Sequence, residues 1–131
     1  MLQGRCKIAG YFTTKRKKQR RTYLFQGIFD CGETFDPEKG RSIKGRGKDD
    51  FGFFSIIGDI TGSGLEFKKK YDEGGEYSHQ LFPTEDPNFY KGRWIVRRDK
   101  GEVGCTIQSV PINDITTKMF EVLEQGAQKR E

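Results

Sequence analysis

The sequence predicts an all-β fold: eight antiparallel strands in up-and-down order, closed into a barrel, with one C-terminal α-helix. Three observations predict it. Short runs with an apolar residue at every second position recur at fairly even spacing between turn residues, the pattern of a β-meander. The chain carries 17 glycines, and a small, strongly coiled barrel needs residues without Cβ where its strands bend. After Pro111 the periodicity changes from that of a strand to that of a helix. Closure is expected because it removes the edges an open meander would expose.

Taken in order, RCKIAGYF (5–12) alternates Cys6, Ile8, Gly10 and Phe12 with polar or small partners, and TYLFQGIFDC (22–31) sets Tyr23, Phe25, Gly27 and Phe29 on one face. RSIKGRGK (41–48) is a glycine-bearing strand, and DFGFFSIIGDI (50–60) is apolar on both faces. LEFKKKY (65–71) aligns Leu65, Phe67 and Tyr71, with Lys69 as the exception. EYSHQLF (76–82) aligns Tyr77, His79 and Leu81. YKGRWIVRR (90–98) aligns Gly92, Trp94 and Val96, and EVGCTIQS (102–109) aligns Val103, Cys105 and Ile107. Turn chemistry near Asp49, at 72–76 and at 98–102 predicts hairpins, and a longer loop spans 83–88.

Residues 1–112 are thus expected to form the barrel. Residues 113–126 supply an amphipathic helix of the same domain, with Ile115, Met119, Val122 and Leu123 on one stripe. Asn113 or Asp114 can cap its start and Gly126 its end.

A chain of 131 residues holds one core rather than two. Apolar and charged residues each make up 33%, which alone would permit disorder, but 11 Phe, 5 Tyr and 1 Trp argue for a small aromatic core under a charged surface. The net charge of +5 has one source. Six of the seven residues 15–21 are basic; 24 Lys and Arg less those six leaves 18 against 19 Asp and Glu. The rest of the chain lacks the broad positive face of a nucleic-acid binder. Three cysteines without C-x-x-C spacing, and no apolar run of signal-peptide or membrane-span length, lead us to expect a cytoplasmic or nuclear protein.

Two stretches resemble a recurrent barrel domain of eukaryotic proteins. One is G-x-G-x-D-x-x-G-x-F at Gly45, Gly47, Asp49, Gly52 and Phe54; the other is aliphatic-x-F-x-K-x-Y at Leu65, Phe67, Lys69 and Tyr71. A later G-x-W at Gly92 and Trp94 fits as well, and the resemblance covers roughly residues 20–110. At fold level it is similar to the calycins, the lipocalin and fatty-acid-binding type of barrel. Lipocalins carry their G-x-W on the first strand, whereas here the Trp falls on the seventh, so the resemblance implies a fold and no particular ligand.

Candidate chemistry is sparse. His79, the single histidine, falls on the same face as Tyr77 and Leu81 and reads as a hydrogen-bonded structural histidine before a general base. One His and three scattered Cys lack paired ligand spacing, so neither a metal nor a cofactor is expected. The cysteines read as small buried residues, and closure would put Cys6 and Cys105 on adjoining strands, where they could lie close together; the sequence leaves open whether they touch. Gly45-Arg46-Gly47 and Gly62-Ser63-Gly64 lack the strand-then-helix context of a phosphate loop and read as bends. Asp49 and Asp50, adjacent on a strand, point to opposite faces and form no acid–base pair, although one can accept turn amides. No catalytic residue is assigned.

The sharpest feature is the basic cluster Lys15, Arg16, Lys17, Lys18, Arg20 and Arg21. It is either a solvated loop between the first two strands or an electrostatic contact for a partner. The expected function is a non-enzymatic binding or scaffold module acting through protein contacts, with this loop as the contact. One alternative is a carrier holding a small apolar ligand among Phe25, Phe53, Phe67, Tyr77, His79 and Trp94. The other is salt-dependent nucleic-acid binding through 15–21, with Tyr11, Phe12 and Tyr23 available for stacking.

Overall fold

A computed structural model describes residues 4–110 and Val122. Eight strands follow in chain order: β1 Arg5–Arg16, β2 Gln19–Asp36, β3 Gly40–Asp49, β4 Gly52–Thr61, β5 Gly64–Tyr71, β6 Glu76–Pro83, β7 Phe89–Val96 and β8 Asp99–Ser109. Each pairs antiparallel with the next, and β1 pairs with β8 from Cys6↔Ser109 to Phe12↔Val103, so the sheet closes. The expected helix over 113–126 lies outside the described residues apart from Val122.

Alternation puts every second side chain inside. Ile8, Phe29, Ile43, Phe54, Ile56, Leu65, Leu81, Val103 and Ile107 are buried to 2% exposure or less and fill the middle of the barrel. Interior space is made by glycines facing large residues across the ladder. Gly45 lies opposite Phe29, and a Cβ there would stand 2.0 Å from the Ile28 carbonyl oxygen and 2.5 Å from the Phe29 Cα. The strands approach too closely there for any side chain.

On β4 the apolar run had left the inward face open, and the structure corrects one expectation. Phe54, opposite Gly47, points in and is fully buried. Phe53 lies on the outer face, half-buried, with the Lys48 ammonium 5.2 Å from its ring. The β7–β8 connection also differs from expectation: strand pairing runs to Val96↔Asp99, so the turn is Arg97–Arg98 rather than 98–102.

Candidate functional site

Up-and-down topology gathers the β1–β2, β3–β4, β5–β6 and β7–β8 hairpins at one end. The basic cluster is the tip of the first. The β1–β2 ladder continues through Lys15↔Arg20 to Arg16↔Gln19, and Lys17 and Lys18 make a two-residue turn. Both have positive φ, 52° and 66°, which is the backbone of a type I′ turn. All seven residues 15–21 are exposed, and Arg20 is paired with Glu102 of β8. Because the barrel closes, the β7–β8 hairpin, with Arg97 and Arg98 in its turn and Lys100 near the start of β8, lies beside this arm. The β3–β4 and β5–β6 turns carry Asp50, Asp72, Glu73 and Glu76, so this end has a basic side and an acidic side.

Left-handed backbone at two lysines costs on the order of 1 kcal/mol or more each, whereas Asn-Gly adopts it readily. The double substitution Lys17→Asn/Lys18→Gly is therefore expected to stabilise the fold by about 1 kcal/mol, with a rise in Tm of a few degrees. Thermal unfolding followed by circular dichroism checks this, and an unchanged or lower Tm would contradict the I′ assignment.

Below the hairpins, the residue that broke the alternation of β5 turns inward with its strand. The Lys69 ammonium lies 2.5 Å from Asp49 Oδ2, with the two side chains 3% and 0% exposed. It also sits 4.2 Å from the Phe12 ring centroid, 4.4 Å from Phe54, 4.9 Å from Phe25 and 5.2 Å from Tyr71, within cation–π range. Asp49 Oδ2 accepts a 2.5 Å hydrogen bond from the Tyr71 hydroxyl, and Oδ1 accepts one from the Phe51 amide at 2.8 Å. Burial pulls the Lys69 pKa down to about 8 against the opposing pull of Asp49. Burial, with the bond to Asp49, pushes the Tyr71 hydroxyl well above its ordinary range.

Above this pair opens a cavity of about 440 Å³. Its aromatic wall comes from successive elements: Phe12 of β1, Phe51 of the β3–β4 turn, Tyr71 of β5, Tyr77 of β6 and Trp94 of β7. These rings touch in sequence, with centroids 6.2 Å (Phe12–Phe51), 6.4 Å (Phe51–Tyr71), 5.8 Å (Tyr71–Tyr77) and 5.7 Å (Tyr77–Trp94) apart. Thr14, Val96, Glu73 and Asp99 also line it, with Lys69 and His79. None of the six cluster residues within 15–21 does.

His79 is buried and stacks on Phe67 at 4.6 Å and 13°. Its Nδ1 is 3.1 Å from the Tyr77 carbonyl. A carbonyl only accepts, so Nδ1 carries the proton and Nε2 is left as an acceptor. Burial, then the nearby Lys69 charge, hold its pKa down to about 3, below the ordinary 6.5. The folded protein thus keeps His79 neutral while the unfolded chain takes up a proton below pH 6.5. Stability from this source is complete above pH 6.5 and is lost as pH falls toward 3, by about 1.4 kcal/mol per pH unit. Urea unfolding at pH 7 and 4.5 should show wild type losing about 2–3 kcal/mol more than His79→Phe; equal losses would contradict a neutral buried imidazole.

The cysteines lie elsewhere. Cys105 pairs with Gly10 of β1 and Tyr90 of β7, while Cys6 faces Ser109 across the β1–β8 ladder with its Sγ 3.9 Å from the Ser109 hydroxyl. The expected strand adjacency holds, but register sets Cys6 and Cys105 four residues apart, and the hydrogen-bond partner of the Cys6 thiol is the Ser109 hydroxyl. Burial pushes Cys105 up to about 12.

Of the residues expected inside, Phe25, Phe67, His79 and Trp94 are buried in the barrel and Tyr77 lines the cavity; Phe53 belongs outside. Lys69, Asp49, Phe51 and Phe12 were not assigned to an interior site. Their signal was present: Asp49 ends the G-x-G-x-D stretch, Lys69 and Tyr71 belong to the F-x-K-x-Y stretch, and the two stretches meet here. Among the described residues no group of three or more His, Cys, Asp and Glu is placed to hold a metal ion, and no helix is long and apolar enough to cross a membrane.

The architecture is a closed eight-stranded antiparallel barrel, compatible with a calycin-like fold. Comparison with protein-family models, curated proteins and solved structures found no match to this chain.

Proposed function

We propose that this barrel is a non-enzymatic binding module that works from its hairpin end, seating a chemical group of its partner in the aromatic cavity. The observation that carries this reading is the contrast within the barrel. The middle is packed with side chains buried to 2% exposure or less, whereas the hairpin end leaves about 440 Å³ over a buried ion pair. That volume falls in the range of ligand pockets, and a largely aromatic lining with a few convergent polar groups is their usual make-up. A buried pair is a weak source of stability compared with apolar packing, which favours a role for Lys69 and Asp49 in shaping this floor.

A binding role fits the polar groups better than catalysis. The Asp49 oxygens are taken up by Lys69, Tyr71 and the Phe51 amide, and the His79 imidazole is held neutral against the Tyr77 carbonyl. Beside the cavity, the basic hairpin supplies the electrostatic contact of a protein partner. What supports this part is that lysines occupy two left-handed positions where their charge comes at a conformational cost.

The test is a titration with the neutral apolar dye Nile red, read through Trp94, the single tryptophan, which lines the cavity. Stoichiometric binding that quenches Trp94 and is abolished by the cavity-filling Val96→Phe is expected. Binding unaffected by Val96→Phe, or no binding, would remove the cavity as the seat.

A further inference from the structure

The floor of the cavity holds its most distinctive chemistry, given the reading above that the cavity is a binding seat. Charges of both signs stand around the mouth, with Glu73 and Asp99 on the lining and Arg97, Arg98 and Lys100 on the β7–β8 hairpin. Deeper in, Lys69 is the only lysine of the lining among the described residues, and its side chain is 3% exposed.

A primary amine attacks carbonyl carbon once it is neutral, and desolvation in an apolar pocket favours the neutral form. Four rings, those of Phe12, Phe25, Phe54 and Tyr71, lie 4.2–5.2 Å from the Lys69 nitrogen. The titratable groups that face it are Asp49 of β3, Tyr71 of its own strand and His79 of β6. Asp49 is the anion, Tyr71 holds its proton in the bond to Asp49, and His79 is neutral. Burial outweighs Asp49 and brings Lys69 down to about 8. Near pH 8 about half of the folded molecules thus hold a free amine here, whereas an ordinary lysine is neutral in less than about 1%.

The same setting suits the product of such an attack. A protonated imine keeps one N–H, which can remain on Asp49 Oδ2, and it keeps the positive charge that the carboxylate and the rings already surround. Its new carbon substituent takes the place of ammonium hydrogens and extends into about 440 Å³ walled by Phe51, Tyr77, Trp94 and Val96.

We infer that the cavity captures a small neutral aldehyde with a flat apolar body, by reversible imine formation at Lys69 Nζ. The nitrogen lone pair adds to the carbonyl carbon, the C=O π pair moves to oxygen, and a proton passes from nitrogen to that oxygen, giving a carbinolamine. A second proton then joins the hydroxyl, the C–O bond breaks, water leaves, and the nitrogen lone pair closes the C=N bond. Overall, ammonium and aldehyde give protonated imine and water, nothing is oxidised or reduced, and the charge paired with Asp49 is unchanged. An alcohol of the same shape fits the walls and cannot form the bond.

The experiment incubates the full chain at pH 8 with cinnamaldehyde and sodium cyanoborohydride. The reagent's hydride adds to the imine carbon and fixes it as a secondary amine, and peptide mass spectrometry locates it. Lys69 is expected to be labelled at least about tenfold faster than any exposed lysine. Val96→Phe should suppress labelling at Lys69 by filling the cavity and leave the exposed lysines unchanged. Without reductant, cinnamaldehyde should displace Nile red at about a tenfold lower concentration than cinnamyl alcohol does. Lys69→Met/Asp49→Asn should abolish that advantage. Labelling of Lys69 no faster than that of exposed lysines, equal labelling in Val96→Phe, or equal displacement by aldehyde and alcohol overturns the imine. Binding of Nile red would still stand in those cases, which separates this failure from failure of the cavity itself. If neither Nile red nor cinnamaldehyde engages the cavity, both readings are overturned.

Discussion

Replacing Asp49 by Asn is expected to cost about 3–5 kcal/mol at pH 7, since removing one partner of a buried ion pair leaves the other charge uncompensated. Lys69 is 3% exposed, and the anion it contacts is Asp49. The rings around it soften the loss without supplying a negative charge. Relative to the 5–15 kcal/mol that a domain of this kind possesses, the change is large. Two features distinguish this mechanism from a general packing defect. Adding Lys69→Met should recover most of the loss, because a buried pair replaced by uncharged groups of similar volume is nearly neutral. The cost should also shrink as pH rises from 7 to about 8 and level off above that, where folded wild type has lost the Lys69 proton as well. With the Lys69 pKa already depressed to about 8 and falling further without Asp49, the unfolded chain binds a proton that the folded one lacks, so stability rises with pH. Urea unfolding of the single and double variants across that range measures both. A D49N loss below about 1 kcal/mol at pH 7 would contradict the dependence of Lys69 on Asp49.

Two adjacent phenylalanines should differ sharply in what their removal costs. Phe54→Ala is expected to cost about 3–5 kcal/mol, the usual figure for a fully buried ring. Phe54 is 0% exposed, lies 4.4 Å from the Lys69 ammonium and packs edge-on against Tyr71 at 5.6 Å. Phe53→Ala should cost about 1 kcal/mol or less, because the half-buried ring lies on the outer face beside Lys48. Chemical denaturation with midpoints compared at constant slope decides it. Equal losses would mean that the inward face of β4 is not the one described.

That pair also marks where sequence reading stopped. Strands β6 and β8 alternate between apolar and polar residues, and β1 and β2 do so apart from Ala9, Tyr11, Leu24 and Ile28, so their inward faces, including Phe25, Tyr77 and His79, could be read directly. β4 is apolar on both faces, and a period of two carries no information when both phases are filled. Register against β3 then decides, and it sets Phe54 opposite Gly47, where the missing side chain leaves room for the ring.

Lys69 shows the converse. Its position was legible, between Phe67 and Tyr71 on an inward face, yet a lysine is normally read as solvated because an unpaired buried charge is prohibitively costly. What makes it tolerable is Asp49, 20 positions earlier and on a different strand, and no local pattern reports that the two side chains meet. The cavity is likewise a tertiary product. Five rings, from four strands and one turn, form one wall only because closure brings β1 back beside β8 and near β7.

By itself, then, the sequence determined the strands, their antiparallel order, the hairpin carrying 15–21 and most of the inward faces, because periodicity and turn chemistry are local. Only the tertiary structure decided that Lys69 and Asp49 neutralise each other inside, that Phe53 faces out, and that the hairpin end is open and ringed with aromatics. Those outcomes depend on register and closure, which set residues far apart in the chain at contact distance.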